Sequence, residues 1–344
     1  MRKSKVVVLF LILAMTVMFP LGCAQQAETP AGETPEPGAE VPEEPAQEPL
    51  RVALMLSGPI SDQGWNATAY NGLMRIEEEL GLEVAFVEQL DLSDIPEVVR
   101  NFATQGFDII IGHGFQFGDP IVAIHQEFPD VKFVVTSSTI TAEPNVSSLN
   151  NDNWQQGFLA GSFSALMTET GKVGAVAGLE IPSITAYVEG YEAGVRYISE
   201  DIEYNTVFTG DFYDAVRAKE SAVAMINAGV DIIAHDADAA GLGVIEAARE
   251  MNVPVIGAII DQYQAAPEVV ITSALSNLSD GIFAFVKGLT EGEEFHVEPY
   301  VMGINEGVVG LAPYHDFEDR VPEEVKTRMA EILDLLASES IPRS

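Results

Sequence analysis

From Arg51 onward the chain alternates short β-branched runs with amphipathic stretches. Val52–Ser57 predicts a strand, and Trp65–Leu80 a helix with Tyr70, Leu73, Met74 and Ile76 on one stripe. Further strands are expected at Glu83–Val87, Phe107–Ile111 and Lys132–Val135, with helices at Asp94–Thr104 and Pro120–Glu127. Strands separated by one helix each imply βαβ units and a parallel sheet.

After Asn150 the alternation begins again. Helices are expected at Trp154–Glu169, Ser183–Ile198, Ala215–Ala228 and Leu242–Glu250, and strands at Lys172–Ala177, Tyr204–Phe208, Asp231–Ala234 and Val253–Ile256. One stretch repeats: Gly106-Phe107-Asp108-Ile109-Ile110 is echoed by Gly229-Val230-Asp231-Ile232-Ile233. Each copy follows a helix and leads to a histidine, His113 or His235, at the strand's C-terminal end. The fold class is therefore α/β, with two doubly wound parallel-sheet lobes around a ligand cleft at the strand C-termini. The lobes are expected at residues 51–150 and 151–262. Residues 263–344, with a strand near Val269–Thr272 and a helix near Ser276–Leu289, supply hinge-crossing segments and C-terminal elements that complete both.

The front of the chain has a different pattern. Arg2, Lys3 and Lys5 precede Val6–Gly22, an uncharged apolar stretch, as in an export signal. Residues 1–23 end in Pro20-Leu21-Gly22-Cys23, which resembles a bacterial lipobox, where the cysteine is lipidated and becomes the mature N-terminus. An ordinary signal peptide or an uncleaved anchor is the alternative. Residues 24–50 hold six prolines and seven glutamates and no aromatic side chain, a composition that cannot bury enough apolar surface to fold. They read as a disordered tether, able to reach up to ~80 Å in polyproline-like form.

Charge then narrows the function classes. The 344 residues carry 17 Lys and Arg against 53 Asp and Glu, a formal charge of −36. Such a field repels phosphate backbones, so nucleic acid is not an expected partner. Cys23 is the single cysteine, which leaves no internal disulfide and no multi-cysteine metal site. The five histidines show no metal-ligand spacing, and the chain has neither a G-x-S-x-G elbow nor a Walker loop. Gly241-Leu242-Gly243 is only two thirds of a dinucleotide turn, because Glu246 stands at the third glycine position. Asp236 and Asp238 form an ordinary carboxylate pair for so acidic a chain. Neither a catalytic site nor a cofactor is expected.

The candidate ligand residues stand at strand ends. Asp62 precedes a helix and is either an N-cap or a ligand contact. Trp65, at the first turn of that helix, either stacks on a ring or packs, and Asn66 beside it offers a donor and an acceptor on one amide. Asp119 before Pro120 is again a cap or a contact. His235 is either a stacking group or a buried structural histidine, with Asp236 next to it. Asp261-Gln262 is a third polar pair, and Gly241 is a further candidate contact.

Several ordered motifs resemble the basic membrane protein family, the purine-nucleoside-binding lipoproteins of ABC importers. They are Gly64-Trp65-Asn66 with Ala69-Tyr70-Asn71-Gly72, Gly114-Phe115-Gln116-Phe117-Gly118-Asp119, Gln156-Gly157-Phe158-Leu159-Ala160-Gly161 and Tyr187 to Gly194. Gly210-Asp211-Phe212-Tyr213-Asp214, Gly241-Leu242-Gly243-Val244 and Ile256-Gly257 with Asp261-Gln262 complete the match. The resemblance implies a type I periplasmic-binding-protein fold, a purine nucleoside or nucleobase as ligand, and an ABC permease as partner. It places the protein on the extracytoplasmic side, attached to the membrane through lipid on Cys23.

Within the resemblance Trp65 takes the family's stacking phenylalanine position, Asn66 its base-contacting asparagine and Asp119 its base-contacting aspartate. Three positions depart. Ala234 stands at the second stacking aromatic, leaving that work to His235. Ile259 and Ser276 stand where an aspartate and a lysine would hold the ribose. Their loss makes a free base a contender alongside the nucleoside. A sensor that presents ligand to a receptor, or a binder of another small ring or a cationic solute, remains the alternative. An enzyme on the same fold is a further one.

Overall fold

The computed structural model describes residues 49–61 and 64–343. The stretch expected to be an export signal, Cys23, all but the last two residues of the expected tether, and Asp62 lie outside the described residues. The first half runs β1 (Arg51–Leu56), α1 (Trp65–Leu80), β2 (Glu83–Val87), α2 (Ile95–Thr104), β3 (Ile109–His113), α3 (Gly118–Val122), β4 (Lys132–Thr136) and β5 (Val146–Asn151). The second runs α4 (Asn153–Met167), β6 (Lys172–Ala177), α5 (Pro182–Ile198), β7 (Glu203–Phe208), α6 (Ala215–Asn227), β8 (Ile232–Asp236), α7 (Gly241–Met251), β9 (Val255–Ile259) and β10 (Val270–Ser276). Then come α8 (Leu278–Thr290), β11 (Tyr300–Met302), β12 (Val309–Leu311) and α9 (Glu323–Ala337).

The strands form two six-stranded sheets, ordered β11-β5-β4-β3-β1-β2 and β12-β10-β9-β8-β6-β7. Every pairing is parallel except β10 with β12. In both sheets the order turns back at the first strand laid down, the arrangement of a doubly wound lobe. The repeated motif falls on β3 and β8, which hold the same place in each sheet. Its aspartates also do parallel work. Asp108 accepts from the backbone N–H of Arg51 at 2.8 Å, and Asp231 from those of Glu169 and Thr170 at 2.7 and 2.8 Å, each tying a strand start to its neighbour.

The chain passes between the sheets after β5, after β10 and between β11 and β12. Helix α8 packs against α1, and Arg75 joins Asp280 across that contact. Helix α4 is buried along nearly its whole length because α5 and α9 cover it. Its contact with α5 is made backbone to backbone. A Cβ at Gly157 would lie 1.9 Å from the Tyr187 carbonyl oxygen, and one at Gly190 2.1 Å from that of Trp154. The glycines of those two family-like motifs therefore set a helix crossing.

The amphipathic reading holds for α1, where Leu73 and Ile76 are fully buried while Tyr70 and Met74 pack half-buried beside them. Two expectations change. The helix expected at Pro120–Glu127 is broken, α3 ending at Val122 before a separate turn at His125–Glu127. Strand β5 adds to the expected elements, because Ser147 and Ser148 interrupt its apolar pattern although both are fully buried. The Ser147 hydroxyl is satisfied by donating to the Glu298 carbonyl at 2.7 Å. Among the described residues no helix is long and apolar enough to cross a membrane.

Candidate functional site

The C-terminal ends of the parallel strands of both sheets open onto one cavity of about 260 Å³. From the first lobe it is lined by Ser57 after β1, Trp65 and Asn66 at the start of α1, Phe115 and Gln116 after β3, and Ser137 after β4. The second lobe contributes Leu179 and Ile181 after β6, Ile184 from α5, Phe212 and Tyr213 after β7, Asp236 and Asp238 at the end of β8, and Ile259. Asn153 and Ser276 line it from the crossing segments.

On the first wall, one face of Trp65 rests on His113, with ring centroids 4.2 Å apart and planes 25° from parallel. His113 is held in turn by the Trp65 carbonyl at its Nε2, 3.1 Å away, and by the Thr136 hydroxyl at its Nδ1, 2.9 Å away. The indole is thus backed on one face while its residue lines the cavity. Asn66 is buried and accepts from the Gly58 N–H at 3.2 Å. Gly58 leaves room for this side chain, since a Cβ there would lie 2.5 Å from the Asn66 amide nitrogen.

On the second wall the Phe212 ring lies over Gly178, whose Cβ would approach it to 2.4 Å. Tyr213 beside it is 73% exposed and forms the rim. Asp236 is 3% exposed, and burial, with Asp238 adding its charge, pushes its carboxyl up to about 7. That carboxyl lines the cavity, and no described side chain or backbone N–H donates to it. Three lining residues, Ser137, Asp238 and Ile259, have φ of 50, 49 and 70°, a left-handed conformation that is a real outlier for a β-branched isoleucine. Such strain collects at ligand clamps, where surrounding structure holds it in place.

The structure brings Trp65, Asn66 and Asp236 together at the cavity, and places four other candidates elsewhere. His235 points its Nε2 at the Gln262 amide oxygen, 2.9 Å away, and is fully buried, so that burial lowers it to about 4. Gly241 makes room for that ring, because a Cβ there would lie 2.3 Å from it. Asp119 is exposed in the first turn of α3 and makes no cap hydrogen bond. Asp261 pairs with His315 Nε2 at 2.7 Å on the surface, where His315 also stacks on Tyr263. Phe115, Phe212, Tyr213 and Asp238 line the cavity although the sequence names none of them as a ligand contact. Each stands within a few residues of a strand's C-terminal end, which was the available signal. Among the described residues no group of three His, Cys, Asp or Glu side chains could hold a metal ion.

A family described as "ABC transporter substrate-binding protein PnrA-like" matches residues 50–339. Basic membrane protein A of Borreliella burgdorferi is 28% identical over 340 residues, 97% of this chain and 93% of its own length. An ABC transporter solute-binding protein from Conexibacter woesei superposes with a TM-score of 0.70 at 29% identity, covering 85% of this chain and 98% of that one. A transcriptional activator of the comK gene from Bacillus halodurans gives 0.75 at 26% identity, covering 85% and 99%. The two lobes have the type I periplasmic-binding-protein fold. The chain belongs to the PnrA-like family of ABC transporter substrate-binding proteins.

Proposed function

We propose that the protein binds a purine nucleoside or free purine base between its lobes and delivers it to a membrane permease, held at the extracytoplasmic face by lipid on Cys23. The observation that carries the ligand class is the pairing of walls: Trp65 and Phe115 from one lobe, Phe212 and Tyr213 from the other. Aromatic groups on both sides of a narrow apolar cavity favour a planar ring, and base-on-aromatic stacking contributes about 1–3 kcal/mol per base. Asn66 and Asp236 supply the hydrogen-bonding groups that fix its edge.

The site favours the base over the nucleoside. Ile259 and Ser276, which stand where the family resemblance places a ribose-holding aspartate and lysine, both line the cavity. The Ser276 hydroxyl is already engaged by the Asn151 amide at 2.8 Å. A pocket without a sugar clamp leaves nothing unpaired when the sugar is missing, so it does not penalise the base. Mass spectrometry of ligand released from the purified full chain tests the ligand class. A purine base or nucleoside is expected, and a different compound overturns the reading. Calorimetric titration with adenine and adenosine tests the finer point, which fails if adenosine binds tenfold or more tightly than adenine.

The likeness to a Bacillus transcriptional activator favours one second reading, a sensor in which the same closure reports ligand. At a net charge of −36 that output would pass through a partner protein, since the field repels DNA.

A further inference from the structure

Asp236 poses a problem that its surroundings leave open. Its carboxyl is nine-tenths buried at the end of β8 and lines the cavity, yet no described residue donates a hydrogen bond to it. No lysine, arginine or histidine is among the described residues lining the cavity. The titratable groups around it give no relief. Asp238, on the turn that follows, adds negative charge. Tyr187, from α5, donates its hydroxyl to the His235 carbonyl at 3.3 Å. His235 itself faces Gln262 and is neutral at ordinary pH, and Tyr213 lies out on the rim. From the first lobe only uncharged groups face the cavity among the described residues. With no cation and no described protein donor beside it, burial and the charge of Asp238 favour the protonated form of this carboxyl.

We propose that Asp236 meets the ligand as an uncharged carboxylic acid, donating its O–H to a ring nitrogen and accepting from the amino group beside it, the paired edge of a 6-aminopurine. This rests on the purine reading of the cleft and adds to it an amino-ring preference and a proton requirement. A protonated carboxyl has one donor and one acceptor oxygen at a fixed spacing, which matches a ring edge carrying an acceptor next to an N–H. Ionised, the same group presents two acceptors, and one of them faces the ring nitrogen's lone pair. Burial pushes the carboxyl up to about 7, so this change falls within the working range. Ligand would be held where the medium is mildly acidic and released more readily as pH rises.

Asparagine is the isostere of a protonated aspartate, with a carbonyl oxygen and an N–H in the same places. The test is calorimetric titration of the full chain and of its Asp236→Asn variant with adenine, from about pH 5.5 to about pH 8.5, a range in which adenine stays neutral. For the parent, affinity should hold steady at the acid end and fall roughly tenfold per pH unit above the carboxyl's titration. The variant should bind within about threefold of the parent at the acid end and show no pH dependence, the carboxyl that titrates being gone. A parent curve that is flat, or that rises with pH, overturns the proposal, as does a variant that melts normally but has lost binding at the acid end. If adenine and adenosine both fail to bind at any pH, the purine reading itself falls and takes this proposal with it. Binding that is clear but pH-independent removes only the neutral-acid pairing.

Discussion

At the scale of single residues, the pair His235 and Asp236 shows how strand geometry separates neighbours. Successive side chains point to opposite faces, so one residue enters the cleft and the next is sealed behind it. Burial shifts the two in opposite directions, His235 from 6.5 to about 4 and Asp236 from 3.8 to about 7. For His235 the unfolded chain holds more protons between these values, so its contribution to stability is complete above 6.5 and is lost as pH falls toward 4. For Asp236 the folded protein holds more, so its contribution is complete below 3.8 and is lost as pH rises toward 7. Each is worth about 3–4 kcal/mol when fully expressed, and between about pH 4 and about pH 6.5 they oppose each other. Urea unfolding should show Asp236→Asn gaining stability relative to the parent as pH rises, and His235→Gln gaining as pH falls. Parallel curves would mean that neither group is dry. Trp65 gives the second prediction at this scale. Trp65→Ala should weaken purine binding by about 1–3 kcal/mol with only a small fall in melting temperature. Unchanged calorimetric affinity would assign the indole to packing against His113 instead.

At the scale of elements, the contact between α4 and α5 is where sequence motif and structural role diverge most. Gly157 and Gly161 face the Tyr187 and Tyr191 carbonyls, and Gly190 and Gly194 face those of Trp154 and Phe158. Helix propensity alone would have Gly→Ala stabilise a helix interior by about 1 kcal/mol. Here the added methyl collides with backbone that cannot step aside. Gly157→Ala should therefore destabilise by about 1–3 kcal/mol or more. Gly310→Ala, whose methyl would meet nothing within 4 Å, should be close to neutral by the same thermal melts. Equal effects at the two positions would show that the helices can separate at little cost.

At the scale of the whole molecule, charge dominates. After Leu50 there are 46 acidic residues against 14 basic ones, a formal charge of −32. Arg51, Arg75, Arg100, Lys219 and Lys326 are typical of the cations, most of which are already engaged in surface ion pairs. Exposed pairs of this kind are worth about 0–1 kcal/mol each, so screening them loses little. The unpaired carboxylates repel one another across the surface, and salt screens that repulsion with a Debye length of about 10 Å at 0.1 M. The melting temperature should therefore rise from low to molar sodium chloride, while affinity for a neutral purine changes little. A melting temperature that falls with salt would show that the ion pairs outweigh the repulsion.

The alternation of strands and helices, the two-lobed plan, the echo that lands on β3 and β8, and the placing of Trp65 and Asn66 were all readable from the sequence. Each follows from local periodicity or from a repeated motif, and needs no knowledge of distant contacts. What tertiary structure decided is which strand-end residues face the cleft. A side-chain period of two means that one residue of register exchanges the wall for the interior, so Asp236 lines the cavity where His235 does not. Asp119 and Asp261 follow the right strands but are not among the lining residues, Asp119 being exposed in α3 and Asp261 paired with His315 on the surface. Phe212 reaches the wall because Gly178, a neighbour only through the pairing of β6 with β7, leaves room for its ring. Those choices depend on pairing and packing between segments far apart in the chain, which local pattern does not contain.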